Sequence, residues 1–251
     1  FMSLTIVLVN FKCDKNKLQL CLNSIKISAE VLIIDHSHDF TFEGIKKPKN
    51  LFFNVIKNIN NGNGAGINCG LKNSKGDIIF FLDSDDFFKK NKITYFMKYM
   101  KNKKIDLCMD KPIFYSTKKN FKLHETFSRN KYIVPWPKIS PQSCLAVKKK
   151  YLLKILKKIS IKKFPDIWFD FRIINQTIID SGNIKIIPKH LTYYQQHRKT
   201  ISSDFKKFSK NWWLRRSQAH KFIEYLQATN KKNKFISIDK LFTVFINKFF
   251  K

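Results

Sequence analysis

The run IIFFLDSDD, residues 78–86, puts three carboxylates directly after five apolar residues. A strand of that kind, buried in a sheet, delivers Asp83 and Asp85 to the same side of the chain at its end, because they stand two positions apart. Two aligned carboxylates suit a hard cation. Magnesium or manganese takes one or two protein carboxylates and fills the rest of its shell with water and phosphate oxygens. Mn2+ or Mg2+ held there would neutralise charge gathering on a diphosphate leaving group. A solvated acidic turn is the plain alternative, and the apolar run ahead of the acids weighs against it. His36 and His38 also invite a metal reading, but two histidines flanking a serine in a loop are read as exposed.

Elements that could position the acids precede them. LTIVLVNF, residues 4–11, reads as a strand buried on both faces and ending at Asn10. Leu18, Leu22 and Ile25 recur at helical spacing, and VLIID at 31–35 is a second strand ending in Asp35. LFFNVI at 51–56 is a third, followed by the glycine- and asparagine-rich NNGNGAGINCG at 60–70 and a short helix to about Ser74. The alternation predicts a doubly wound, mostly parallel α/β sheet flanked by helices. In such a sheet ligands lie beyond the carboxyl ends of the strands, where strand order reverses. Polar residues gather at all four predicted strand ends.

Further along, helices are predicted over 91–101, 148–160 and 167–179, the last closed by Ser181 and Gly182. Segments 105–115 and 121–134 read as strand or loop, and IKIIP at 184–188 as a short strand stopped by Pro188. From about Phe205 onward the chain reads as helices.

The order of strand, NxGxGxGxNxG, short helix, apolar strand and DSDD resembles the donor-binding half of family-2 glycosyltransferases with the GT-A fold. Asn60, Gly62, Gly64, Gly66, Asn68 and Gly70 occupy every second position of the loop. Glycine there allows close backbone approach and positive φ, and asparagine can cap a helix and bond to a nucleotide sugar. The resemblance implies that Asp83 faces the nucleotide and Asp85 the metal, and that Asp35 accepts a hydrogen bond from the donor base, with Asn10 beside it. The family's DDGS or DNSS reads Asp35, His36, Ser37, His38 here, which leaves the base open. FPDIWFDFRIINQTIIDSGNIKIIP at 164–188 resembles the family's ED-x(5)-R helix. Matching Arg172 to the family's arginine makes Asp166 the general base for an inverting reaction, with Pro165 where glutamate is usual. Asp170 is the runner-up, and helix capping is the structural alternative for Asp166. Trp168 is read as core or as a stacking surface for an acceptor sugar. LTYYQQHRKTIS is close to the family's YYRxHxxSxS stretch, so His197 is a candidate to complete the metal shell and Arg198 to pair with phosphate.

The resemblance implies an inverting, metal-dependent glycosyltransferase of the hexosyltransferase type, moving a sugar from a UDP- or GDP-linked donor to a saccharide or lipid-linked saccharide acceptor. Surface polysaccharide or lipopolysaccharide assembly is the setting it suggests. It covers residues 4 to about 203. The expected organisation is a GT-A domain over 2–204, with a nucleotide-sugar-binding half (2–100) and an acceptor-binding half (101–204), then a helical extension over 205–251. In that extension Trp212, Trp213, Arg215, Arg216 and FISIDKLFTVFINKFFK could lie on an anionic membrane or pack on the catalytic domain.

Composition limits the alternatives. With 251 residues and 43% hydrophobic content the chain can bury a real core. Phe1 precedes the expected natural start at Met2. Neither a secretory h-region nor an unbroken apolar run of spanning length is seen, and five scattered cysteines make no CxxC. A cytoplasmic setting is expected, peripheral on the membrane if the extension binds there. The net charge of +31 would attract nucleic acid, anionic surfaces or phosphorylated substrates. Lysine, asparagine, isoleucine and phenylalanine are all enriched, as an AT-rich genome would produce, and that discounts the charge. A basic protein binding nucleic acid or an anionic surface without transferase activity is the rival reading, but no RRM, KH, zinc or helix-turn-helix signature accompanies it. A Rossmann oxidoreductase is excluded by GxGxG after the third strand in place of GxGxxG after the first.

Overall fold

The computed structural model describes residues 3–10, 14–36, 41–57, 70–116, 119–122, 133–137, 139–160, 162–195, 205–232 and 236–250. The first half alternates β1 (Leu4–Asn10), α1 (Lys15–Asn23), β2 (Ala29–Asp35), β3 (Leu51–Lys57) and β4 (Ile78–Asp83). β5 (Phe87–Phe88), α2 (Lys92–Met100), β6 (Leu107–Ser116), β7 (Lys119–Lys122) and β8 (Leu145–Lys148) follow. The chain continues through α3 (Lys149–Ile159), α4 (Phe169–Ile179), β9 (Ile184–Gln195), α5 (Lys210–Thr229) and α6 (Ile238–Lys248).

One sheet holds these nine strands in the order β3-β2-β1-β4-β8-β6-β9-β5, with β7 paired to β6 outside that path. β3, β2, β1 and β4 are mutually parallel. The interiors of β1, β2 and β4 are apolar toward both faces, as helices on both sides demand, while β3 is the edge strand and leaves Phe52 and Val55 exposed. The chain steps outward from β1 to β2 to β3, then returns to lay β4 against the other edge of β1, so the strand order reverses there. Asn10 and Asp35 are register partners, as are Val9 and Asp83, which sets three polar strand ends side by side. The second half is mixed: β8 runs antiparallel to β4 and β6, β5 antiparallel to β9, and only β6 and β9 are parallel.

Two layers cover the sheet. On one face Leu18, Cys21 and Leu22 of α1 and Ile93, Phe96 and Met100 of α2 pack on β1, β2 and β4. On the other, Leu152, Ile155 and Ile159 of α3 and Phe169, Ile173 and Ile174 of α4 pack on Val7, Phe81 and Val147. Asp14 caps α1 by accepting from Asn16 N (2.8 Å) and Lys17 N (3.2 Å). Gly76 admits the turn before β4, because a Cβ there would stand 2.4 Å from the Leu4 carbonyl carbon and the Thr5 nitrogen. α4 ends in a Schellman arrangement, with Gly182 N donating to Thr177 O (2.8 Å) and Ser181 N to Ile178 O (3.2 Å). The left-handed residue is Ser181 (φ 58°). Gly182 serves by size, since a Cβ would meet Thr177 Cγ2 at 2.8 Å.

Pro188 does not stop the strand predicted at 184–188. β9 continues to Gln195, because the pairing of β6 with β9 shifts register between Met109–Ile186 and Lys111–His190. Pro188 falls inside that irregularity, where the ladder needs no donor from it.

The predicted C-terminal extension divides into two unlike pieces. α5 is built into the molecule: Ala219, Phe222, Ile223 and Leu226 make a third core with Phe164, Ile167 and Ile179. α6 rests on α5 through Arg216 Nε to Asp239 Oδ1 (2.8 Å), His220 Nε2 to Asp239 Oδ2 (2.7 Å) and Asn247 Nδ2 to Trp213 O (3.2 Å). Its other side is open.

Candidate functional site

The acid turn is locked from below. Asp83 ends β4; its backbone N–H donates to Ser143 Oγ (3.0 Å) and its Oδ1 accepts from Gln142 Nε2 (2.9 Å). Gln142 and Ser143 belong to a 3-10 turn, Gln142–Cys144, that leads into β8. The Ser143 hydroxyl donates to Asp86 Oδ2 (2.5 Å), whose Oδ1 accepts from Gln195 N (2.8 Å). Asp86 is buried and fastens the end of β9 to the turn, while Asp83 and Asp85 remain partly exposed.

The charges here oppose one another. Burial pushes the Asp83 carboxyl up to about 8, and repulsion from Asp85 and Asp170 adds to the rise against the Gln142 hydrogen bond. Asp86 is raised by burial, then by Asp83 and Asp85, against the bonds from Ser143 and Gln195. Burial lifts Asp170 to about 6, opposed by the Phe171 N–H at 2.7 Å and by Arg215. Tyr194 is held well above the ordinary phenol range, first by burial and then by the fields of Asp86, Asp83, Asp170 and Asp85. Its hydroxyl therefore stays protonated among the acids.

Asp170 is thus the later carboxylate that shares a field with the acid turn. It lies in the first turn of α4. Asp166 precedes the helix in the turn at 165–167 and does not cap it. Gln218 of α5 grips Asp166 twice, Nε2 donating to Oδ2 (2.6 Å) and Oε1 accepting from the Asp166 N–H (3.1 Å). Arg172, the motif arginine, is buried and donates to backbone carbonyls. Its Nε donates to Ile167 O (2.7 Å), Nη1 to Ile159 O (2.9 Å) and Nη2 to Phe164 O (2.5 Å), which winds the loop carrying Asp166. Burial lowers its guanidinium to about 10.

Arg215, one helical turn before Gln218, completes this side. Its guanidinium carbon stands 3.5 Å from the Trp168 ring centroid and 4.8 Å from that of Phe205, and it interacts with Asp170, Asp166 and Tyr194. Trp168 thus carries an arginine on its face. No motif singles out Gln142, Ser143 or Gln218 in the sequence. Tyr194 had a signal in the Tyr193–Tyr194 doublet of the resemblance segment, and Arg215 only in the Trp- and Arg-rich face of the extension.

At the other strand ends, Asn10 Nδ2 donates to Asp35 Oδ1 (3.0 Å), and both residues are buried. The Asn10 Oδ1 is also buried and has no hydrogen-bond partner among the described residues. Asn60, Gly62, Gly64, Asn68, His197 and Arg198, and with them Gly66, Ser37 and His38, lie outside the described residues. Among the described residues no three His, Cys, Asp or Glu side chains form a ready metal cage. What the turn offers is the smaller donor set of one or two carboxylates that leaves the rest of the shell to substrate phosphate and water.

A parallel half-sheet whose strand order reverses beside β1, continued by a mixed second half, is a GT-A-type α/β fold, with the candidate site at the sheet's carboxyl edge. The profile of glycosyl transferase family 2 matches residues 5–182, and the chain belongs to that family. Over 85 residues it is 40% identical to the poly(ribitol-phosphate) beta-N-acetylglucosaminyltransferase TarP of Staphylococcus aureus strain N315, covering 32% of this chain and 26% of the relative. Over 106 residues it is 34% identical to a glycosyltransferase of Haemophilus influenzae, covering 39% of this chain and 41% of that protein. The matches therefore span well under half of either relative. Among solved structures, S. aureus TarS 1–349 in complex with UDP superposes with a TM-score of 0.60 at 14% identity, over 99% of this chain and 70% of that one. The mannosyltransferase PcManGT of Pyrobaculum calidifontis, in complex with GDP-Man and Mn2+, gives 0.57 at 12% identity, over 98% and 69%. At such identities the likeness concerns the fold.

Proposed function

We propose that the chain is an inverting glycosyltransferase that moves a sugar from a nucleotide-diphosphate donor to an acceptor hydroxyl in the assembly of surface polysaccharide or lipopolysaccharide. The observation that carries this is the convergence of Asp83 and Asp170, on opposite halves of the fold, in one electrostatic field at the strand-order reversal. Asp170 is the base: it takes the acceptor proton as the acceptor oxygen attacks the anomeric carbon, and the nucleoside diphosphate leaves from the opposite face of the sugar. Asp166 becomes a positioning residue held by Gln218. Asp83 bonds to the donor, Asp35 with Asn10 faces its base, and Asn60, Gly62, Gly64 and Asn68 are assigned to donor binding from their motif. Asp85 with Asp83, and His197 from the following segment, would hold Mn2+ or Mg2+, which supplies charge neutralisation to the departing diphosphate. Arg198 serves the same phosphates, and Tyr194 offers a hydroxyl donor. The nucleotide sugars and Mn2+ bound by the structural relatives support this choice of donor and cation.

Turnover of a panel of UDP- and GDP-linked sugars with manganese tests the reading. Release of nucleoside diphosphate from at least one of them is expected, and no release across the panel, with salt-sensitive binding to random RNA instead, would favour the rival.

The raised acids also set a pH dependence for the cation. A carboxyl raised on folding makes the unfolded chain the stronger acid, so folding takes up protons and stability falls as pH rises from about 4 to the folded values near 6 and 8. Manganese with UDP relieves that repulsion and competes with protons. The gain in Tm on adding them is therefore expected to be larger at pH 8 than at pH 5.5, read by scanning calorimetry, and smaller in Asp85→Ala at both.

The open side of α6 supports the expected membrane contact. Ile238, Leu241, Phe242, Val244, Phe245 and Phe249 are all roughly half exposed or more, and Lys240 and Lys248 flank them. Among the described residues no helix is long and apolar enough to cross a membrane. We place this face on the anionic cytoplasmic leaflet, where a lipid-linked acceptor would be met. Phe245→Ser/Phe249→Ser is expected to lower partitioning onto vesicles with 30 mol% anionic lipid by about 10-fold or more, measured by sedimentation. Unchanged partitioning would remove α6 from the proposal.

A further inference from the structure

Beside the acid turn lies an open cleft of about 720 Å³, bounded by β5, the start of α2 and the middle of β9. Among the described residues its titratable walls are basic or phenolic, Lys89, Lys90, Lys189 and His190 with Tyr95 and Tyr193, and hold no carboxylate. Aromatic rings contact two of the lysines. Lys189 Nζ donates to Tyr95 Oη (2.8 Å) and stands 4.4 Å from the ring centroid, while Lys89 Nζ is 5.7 Å from that of Tyr193. Tyr193 is itself stacked on Phe87, with centroids 4.5 Å apart and planes at 22°.

The floor is rigid. Phe87 and Phe88 pair with Tyr193 and Thr192, and Lys89 N donates to Leu191 O (2.8 Å). Both walls also run straight into the candidate site: residues 87–91 follow Asp86, and 189–193 lead to Tyr194 and Gln195, which face the acids. Volumes of about 300–1,000 Å³ are typical of small-ligand sites. Fixed ammonium groups beside aromatic faces match a ligand that is anionic at some atoms and apolar on flat C–H faces at others.

We propose that this cleft is a subsite for an anionic saccharide, whose phosphate or carboxylate pairs with Lys89, Lys90 and Lys189 while its sugar faces lie on Tyr95 and Tyr193. That the bound saccharide is the acceptor rests on the transferase reading; the binding itself does not. Lowering of the Tyr95 phenol by Lys189 is in keeping with a cationic surface.

Isothermal titration without donor tests the proposal, using phosphopentamannose, a hyaluronan tetrasaccharide and neutral maltotetraose as probes. Wild-type protein is expected to bind at least one anionic probe more tightly than maltotetraose, and the tighter of the two names the anionic group. Lys89→Ala/Lys90→Ala/Lys189→Ala is expected to weaken that binding by about 10-fold or more. Lys101→Ala/Lys103→Ala/Lys104→Ala, the same loss of charge at the far end of α2, should leave it nearly unchanged. Equal weakening by both triples would show only the general field of a chain with net charge +31 and would overturn the subsite. So would equal binding of anionic and neutral probes, or a cleft triple that binds like wild type. Failure of the transferase reading would appear separately, as anionic-saccharide binding without turnover of any nucleotide sugar.

Discussion

Asp170→Asn is expected to lower kcat for sugar transfer by about 10²–10⁴-fold, the range that a positioned general base contributes, while donor affinity changes little. The amide is nearly isosteric and can keep the contact with the Phe171 N–H, but it cannot accept a proton. Removing its charge also lessens the repulsion on Asp83, so donor and cation binding should hold or tighten slightly. Asp166→Asn should behave differently. Its carboxylate accepts from Gln218 Nε2 at 2.6 Å, and an amide can turn its oxygen to the same donor. A fall of about 10-fold or less is expected, through the placing of the loop before α4. Steady-state kinetics of the two variants, with donor affinity measured separately, decide between the carboxylates. If Asp166→Asn were the inactive protein and Asp170→Asn nearly normal, the assignment from family spacing would stand and the one made here would fall.

Lys92→Met is expected to destabilise the fold by about 3–5 kcal/mol, because it strands a carboxylate in the core. Lys92 and Asp110 are both fully buried, with Nζ 3.0 Å from Asp110 Oδ1. The same ammonium donates to Ser143 O and Thr192 Oγ1, and Asp110 also accepts from Leu191 N (2.8 Å) and Thr192 Oγ1 (2.9 Å). Burial raises the Asp110 carboxyl even against these bonds. The network joins α2, β6 and β9 at Ser143, the residue whose hydroxyl holds Asp83 N and Asp86. For a chain of this size the loss corresponds to a fall in Tm of roughly 6–20 °C. Lys92→Met/Asp110→Leu removes both charges and should recover most of that loss. If the single variant melted within about 1 °C of wild type, Asp110 would not be relying on Lys92 for its burial.

Much of the first half was legible because its strands are short apolar runs ended by polar residues. Buried parallel strands leave that signature, and β1, β2 and β4 end at Asn10, Asp35 and Asp83 as read. The helices of the second half were legible within two or three residues from their apolar spacing. What sequence could not supply was how segments meet. Gln142 and Ser143 sit in a polar stretch that looks like any loop, and only the pairing of β8 with β4 puts them under the acid turn. Lys92 is indistinguishable by type in a lysine-rich chain until α2 directs it inward. Arg215 and Gln218 lie on a helix beyond the segment that matches the family, and they reach the site because Phe222 and its neighbours dock α5 on the loop before α4. Spacing set Asp166 at the motif position, but Arg172 winds that loop, and it is Asp170 that shares the field of Asp83. Pro188 misled because a break in register, invisible in sequence, excuses its missing donor.

Anomalous diffraction at the manganese edge, from crystals grown with UDP and MnCl2, tests most directly whether the acid turn carries the cation and the diphosphate of a nucleotide sugar. A single strong peak is expected at the Asp83–Asp85 turn, and none in crystals of Asp85→Ala. Ordered UDP with no manganese at that turn, or a peak that persists in Asp85→Ala, would contradict the account.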